Sequence, residues 1–325
     1  MRLKDRVACL FSVLALICGG ASAQTTEPVG TEVATANHTP VIASGVMAGV
    51  YYPVANILSD AAGGGFEVLP TTGSMENLVR LASGEVDFAI ALSDRVEQAI
   101  DGSTPFDQAG LGEDLRLVMA LFAEPLTILV RANDEIQSLS DLADRTVNLG
   151  TQGNPVEHLF RMTLDASGLV HEEEDYRYIP LSEQAQALCD GEVDAIGYIA
   201  VHPSGTVYQA TTLCDVRILP IDGDAAETLL AGDPTLAPAR IQASLYLGTG
   251  GWVDSVGPMA LLMTRSDVSP MYIDRLVNGV LGDPAAVERR HPALTAIDQR
   301  LRYAEDGPAP LHDRAAELLG NAATQ

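Results

Sequence analysis

Lysine is almost absent. Lys4 is the single lysine in 325 residues, and it lies in the leader described below. The remaining chain has no amine for a Schiff base, none to anchor pyridoxal phosphate, and none to complete a Walker-type phosphate loop. Positive charge is scarce in general. Nineteen Lys plus Arg face 44 Asp plus Glu, for a formal net charge of -25. So acidic a surface disfavours nucleic acid and anionic membrane as partners. There are four cysteines and no C-x-x-C pair, which removes the usual redox and zinc spacings. Catalytic signatures are missing as well. No G-x-S-x-G elbow and no H-E-x-x-H occurs, and Glu157-His158 stands alone. The glycine-rich GTGGWVDSVG at 248–257 lacks a dinucleotide-binding context. HEEED at 171–175 reads as a solvated acidic loop. No cofactor, no metal and no enzymatic role is expected.

What is present begins with a leader. MRLKDR is basic, VACLFSVLALIC is apolar, and ASA at 21–23 is a small-residue cleavage site. This is the pattern of a secretory signal peptide cut after Ala23. Cys18 raises a lipoprotein alternative, with Ile17 a poor residue before a lipidated cysteine. The apolar run is too short for a membrane span, and no later run is long enough. Residues 24–38 are polar and aperiodic and read as a flexible leader. An exported, periplasmic chain is the expectation. Cleavage would leave Cys189 and Cys214, which an oxidising compartment would pair. Closing that loop would contribute about 3 kcal/mol. Two separate buried thiols are the other reading.

The body of the chain repeats a grammar. Gly-Glu-Val-Asp occurs at 84–87 and again at 191–194. Each copy follows a helical run, SMENLVRLAS or SEQAQALCD, and opens an apolar run. The glycine reads as a helix stop and the apolar run as a strand. Before the first copy come a strand (TPVIASG), a helix with Pro53 in its first turn, and a strand (FEVLP). Ser74 reads as the N-cap of the next helix. Before the second copy come TVNLG, a helix at 155–167 capped by Asn154 with Pro155 and Glu157, and YRYIP. Strand–helix–strand units with short connections predict parallel sheets flanked by helices. Two apolar runs meet at Glu124-Pro125, and GPMALLMTR spans 257–265. Both read as crossings, near 125–131 and 256–264, between two hinged lobes. Helices are expected at 269–281, 284–302 and 311–320. The expected lobes are 39–127 plus 260–325, and 128–259.

In parallel α/β lobes a ligand sits beyond the carboxyl ends of the strands, against helix N-termini. Three turns meet that description: ASGVMAGVYYP, LPTTGSMEN and LGTQGNPVE. They supply Gly49 and Tyr51, then Thr72, Gly73 and Ser74, then Thr151, Gly153, Asn154 and Pro155. Free backbone N–H groups and the helix dipole can hold a carboxylate there without a cation. Ordinary caps and turns are the plainer reading of any single one. Ser93-Asp94 and His202-Pro203 end the two Gly-Glu-Val-Asp strands and mark the corresponding edges.

GVYYP (49–53), TTGSMENLVRLASGEVDFAIALSD (71–94), GTQGNPVEH (150–158), CDGEVDAIGYIAVHPSG (189–205) and CDVRILPIDG (214–223) together resemble the TAXI family. These are solute receptors of tripartite ATP-independent periplasmic (TRAP) transporters. The resemblance runs in order from about residue 40 to the C-terminus. It implies a two-lobed type II periplasmic-binding-protein fold with the ligand cleft between the lobes. It implies delivery of solute to membrane subunits driven by an ion gradient, usually sodium. Assigned ligands of the family point to glutamate, glutamine or 2-oxoglutarate-like compounds. Carried over by position, the cleft would be lined by Tyr51, Ser74, Ser93, Asn154 and His202, with backbone from Gly73 and Gly153. Departures are Leu92 where relatives have Gln, Gly153-Asn154-Pro155 where they have Gly-Ser-Gly, and PLHDRA at 310–315. The first two fall where solute would bind. The family's cysteine pair fits Cys189 with Cys214. The implied function is capture of a small organic acid or amino acid for a TRAP transporter. The alternative is a ligand-sensing subunit that feeds a signalling receptor through the same closure.

Overall fold

The computed structural model describes residues 38–103, 106, 112–132, 135–169, 172, 175–297 and 307–322. The expected signal peptide and residues 24–37 of the expected leader lie outside these residues, as does most of the acidic loop at 171–175. Among the described residues no helix is long and apolar enough to cross a membrane.

The opening grammar folds as read. β1 (Val41–Ala43), α1 (Tyr51–Ala61), β2 (Glu67–Leu69), α2 (Ser74–Ala82) and β3 (Phe88–Leu92) follow in order, and β1 pairs in parallel with β2 and β3. α3 (Ser93–Asp101) leads to β4 (Leu115–Ala123). β5 (Leu126–Arg131) begins after Glu124-Pro125 and belongs to the second sheet. There β6 (Val147–Asn148) pairs in parallel with β7 (Tyr176–Arg177) and β8 (Ala195–Ile199). α4 (Pro155–Ala166) and α5 (Gln184–Asp190) connect them. α6 (Gly205–Leu213), β9 (Val216–Leu219), α7 (Gly223–Gly232) and β10 (Leu236–Gln242) come next, and sequence reasoning had not picked these out. β11 (Trp252–Arg265) is the long return strand. α8 (Pro270–Gly282), α9 (Pro284–Glu288) and α10 (Asp313–Ala322) follow. The helix expected at 284–302 stops at Glu288, because Pro292 lacks the N–H that would continue it.

Each sheet is mixed rather than mainly parallel. β11 runs antiparallel to β3, β4 and β10, and β5 runs antiparallel to β8 and β9. The reason lies in the crossings. A strand arriving from the other sheet enters at the carboxyl ends of the parallel strands and must run against them. The two crossings are bonded to each other. Glu124 N donates to Pro258 O at 2.8 Å, and Ser255 Oγ donates to Leu126 O at 2.6 Å. A Cβ on Gly257 would stand 2.1 Å from Glu124 O and 2.7 Å from Pro125 Cα. Backbone therefore lies on backbone where the chain passes between sheets.

The repeated Gly-Glu-Val-Asp builds the same corner twice. Gly84 and Gly191 take left-handed φ of 77° and 78° after their helices, a conformation glycine adopts at no steric cost. Asp87 Oδ2 accepts from Val41 N at 2.8 Å, and Asp194 Oδ2 accepts from Thr146 N at 3.0 Å. Each aspartate thus holds the start of its parallel neighbour. An arginine at the end of each crossing strand completes the corner. Arg265 donates to Leu81 O and Val86 O, and Arg131 donates to Leu188 O and Val193 O. Both corners lie at the strand starts, far from the strands' carboxyl ends. Cys189, at the end of α5, is bonded to Cys214, at the end of α6, with the Cα atoms 5.7 Å apart.

Candidate functional site

At the carboxyl end of the first sheet one buried amide sets the geometry. Asn77, on α2, is fully buried. Its Nδ2 donates to Ser44 O at 2.6 Å and to Ile90 O at 2.7 Å, and Thr71 Oγ1 donates to its Oδ1 at 2.5 Å. The end of β1, the middle of β3 and the turn before α2 are thereby fixed together. In the second sheet Gln184 plays a related part. Asn148 Nδ2 donates to its Oε1 at 2.7 Å, and its Nε2 donates to Gly197 O at 3.3 Å.

Ser74 is not the N-cap of α2. Gly73 holds that place at φ 121°, without a capping side chain, and Ser74 is the first helical residue. Its Oγ accepts from Leu92 N at 3.1 Å instead. Glu76 turns back to accept from Thr72 N and Thr72 Oγ1 at 2.8 and 2.7 Å. These bonds hold the Glu76 carboxyl down at about 2. The orphan amides at the start of α2 are left for solvent or a ligand. α1 likewise starts without a side-chain cap, and Gly49 N closes the preceding turn on Val46 O at 2.8 Å.

Tyr51 is the centre of this group. Its hydroxyl lies beside the Glu124 carboxyl and Ser74, and its ring packs on Phe122 at 5.9 Å. A Cβ on Gly45 would stand 3.1 Å from Tyr51 Cβ, so the glycine that ends the first strand run admits the tyrosine. Burial, followed by the Glu124 charge, keeps the phenol well above its usual pKa, so it stays protonated. Burial pushes the Glu124 carboxyl up to about 7, the Tyr51 hydroxyl opposes the rise, and Asp94 adds to it. Asp94 is itself raised, first by burial; Arg95, 3.5 Å away, opposes this and Asp233 reinforces it. Sequence reasoning treated Glu124 only as a break between two apolar runs. An acidic residue before a proline at a crossing was the available signal.

Other expected site residues are placed differently. Ser93 is fully buried, its hydroxyl donating to Thr235 O at 2.6 Å and accepting from Met259 N at 2.9 Å. It fastens α3 to β11 and presents no face to solute. Asn154 caps α4 as expected, accepting from Glu157 N at 3.0 Å, and Pro155 opens the helix. The Asn154 amide also donates to Leu149 O at 3.1 Å and to Thr151 O, so its side chain is spent within its own turn. Gly153 N donates to Glu157 Oε2 at 2.6 Å. Thr151, Gly153 and Pro155 remain exposed at this helix start. His202 meets Thr127 Oγ1 with Nε2 at 2.9 Å and the Tyr246 hydroxyl with Nδ1. Burial pushes it down to about 4, so it is neutral near pH 7. It borders a cavity of about 740 Å3 that Ala123, Pro125, Val256 and Met259 also line. Phe122 and Glu124 meet Tyr51, whereas the alternate residues Ala123 and Pro125 line this cavity. His202 and Tyr51 therefore lie on different sides of the crossing strand.

Among the described residues no cluster of three or more His, Cys, Asp or Glu could hold a metal ion. The chemistry on offer is recognition: orphan amides at helix starts, a tyrosine hydroxyl, and a carboxyl poised near neutrality.

Solved structures share the architecture. A TctC solute binding protein from Polaromonas superposes with a TM-score of 0.52 at 15% identity, over 88% of this chain and 98% of that one. The periplasmic aliphatic sulphonate binding protein SsuA from Escherichia coli matches at 14% identity with a TM-score of 0.49, over 88% of this chain and 85% of its own. The fold is an α/β fold of mixed sheets flanked by helices, matching type II periplasmic-binding-protein neighbours. Residues 42–319 match the model of the NMT1-like family, and the chain belongs to that family.

Proposed function

We propose that the protein is an exported solute receptor of the TAXI kind. It captures a small organic acid, glutamate- or 2-oxoglutarate-like, between two lobes and delivers it to the membrane subunits of a TRAP transporter. The lobes are taken as 39–127 plus 260–325, and 128–259, with cleavage after Ala23 and action in the periplasm. The observation that carries this reading is the pair of bonded crossings with uncapped helix starts beside them. Glu124 and Pro258 are joined at the passage, and Tyr51 and Ser74 stand where α1 and α2 begin. Closure would bring the start of α4, with Thr151 and Gly153, toward α1 and α2. A carboxylate held there by backbone N–H groups needs no cation. Val46 and Met47, 56% and 68% exposed, stand in the turn before α1 and give closure an apolar rim to bury.

A thermal-shift screen of dicarboxylates, 2-oxoacids and amino acids tests this reading. A solute bound only by the folded protein at a hundred times its Kd adds about 2.7 kcal/mol, and thus several degrees in Tm. At least one class is expected to do so. A well-folded sample that answers to none of the three would contradict the acid-ligand assignment.

A further inference from the structure

We propose that the cavity on the other side of the crossing strand from Tyr51 is a second ligand site, and that it takes an amphipathic organic cation, with the apolar body inside and the cationic head beside Trp252 and Asp254. Its lining includes no residue from the starts of α1, α2 or α4, and it does not depend on the receptor reading.

Strand periodicity builds the mouth. β10 and β11 pair antiparallel, with Arg240 opposite Asp254 and Gln242 opposite Trp252. Residues two apart share a face of a strand, so these four side chains stand together, and all four line the cavity. Along the same face of β11 the lining passes from buried Val256 through Asp254 to exposed Trp252. The deeper lining comes from both sheets and is apolar: Ala123 at the end of β4, Met259 in β11, and Ile221 just after β9. Two polar side chains of the inner wall are already bonded within the protein. Ser255 Oγ donates to Leu126 O, and His202 is held by Thr127 and Tyr246. An apolar body thus enters without leaving either of them short of a partner. The volume of about 740 Å3 lies within the range of small-molecule sites, about 300–1,000 Å3. Charge chooses the head. The charged lining is Asp222, Asp254 and Arg240, two carboxylates to one guanidinium, on a chain of net charge -25. An anion is repelled there. The mouth already holds a cation supplied by the chain itself. The Arg240 guanidinium lies 5.3 Å from the Trp252 ring centroid and 3.0 Å from Asp254 Oδ1. With side chains 62% and 59% exposed, that ion pair contributes little, so Arg240 can swing aside. A ligand cation that brings its own apolar body then takes the same indole face and carboxylate.

Trp252 is the only tryptophan of the chain, so its fluorescence reads this mouth. The test titrates the protein with decyltrimethylammonium, decanoate and 1-decanol, each kept below the concentration at which it aggregates. Decyltrimethylammonium is expected to give a saturable change and to bind roughly tenfold tighter than the other two. Asp254→Asn should weaken it several-fold. Arg240→Gln, which removes the internal rival, should hold or tighten it. Ala226→Phe, at a half-buried lining position on α7, fills the cavity without changing net charge and should abolish the saturable response. If that variant does not fold, Thr295→Phe, at an exposed lining position, is read by the same criterion. Decanoate or 1-decanol binding as tightly as the cation, or weaker cation binding by Arg240→Gln, overturns the cationic assignment. A saturable response that survives the filled cavity, or none to any of the three probes, overturns the site.

Discussion

Gly257→Ala is expected to cost about 3 kcal/mol or more in unfolding free energy, at the upper end of overpacking penalties. The added methyl would lie 2.1 Å from Glu124 O, a distance that no rotamer can relieve, because the obstacle is backbone. The only response is to push the two crossings apart. That loosens the bonds from Glu124 N to Pro258 O and from Ser255 Oγ to Leu126 O. The change should therefore also weaken solute binding, by moving Glu124 from Tyr51. Urea unfolding of Gly257→Ala beside Gly250→Ala separates this from a general glycine effect. A Cβ on Gly250 meets nothing within 4 Å, and its substitution should stay within about 0.5 kcal/mol. Equal, small costs for both variants would show that the crossings are not closely apposed.

Asn77→Ala should cost about 3 kcal/mol, since it leaves buried polar groups without partners at roughly 1–3 kcal/mol each. The groups are Ser44 O, Ile90 O and the Thr71 hydroxyl. The amide ties together three segments that arrive from different parts of the chain, so no nearby side chain replaces it. Its loss should free the turn at 71–74 and reduce affinity for solute along with stability. Hydrogen exchange read at Thr71–Ser74 would report the local effect, and the denaturation midpoint the global one. An unchanged midpoint would mean that solvent replaces the amide easily and that the strands are held by other means.

Features fixed by neighbouring residues were legible in the sequence. The Gly-Glu-Val-Asp corners depend on a helix stop followed at once by a strand, and both formed. Asn154, Pro155 and Glu157 lie within one turn, and their capping followed the local rule. Features fixed across the chain were not legible. Ser93 looks like a hydroxyl at a strand end, yet its partners are 142 and 166 positions away. His202 is held by Thr127 and Tyr246, each far off in sequence, on the cavity side of the crossing. Ser74 stands before a helical run and reads as a cap, but the left-handed Gly73 takes that place and the hydroxyl serves Leu92. Glu124 acquires its meaning only from Tyr51 and Asp94, which fold brings to it. The antiparallel entry of β5 and β11 was also hidden, because strand direction follows from which sheet the chain has just left.

The most direct test of lobe closure is a distance measured with and without solute. Met75, at the start of α2, and His158, in the first turn of α4, are both exposed and lie on different lobes in the proposed division. Spin labels at Met75→Cys and His158→Cys would report their separation by pulsed electron resonance, with Cys189 and Cys214 left bonded. A solute that raises Tm should shift the distance distribution to shorter values by several ångströms and narrow it. A solute that raises Tm while leaving the distribution unchanged would contradict capture by closure of the two lobes.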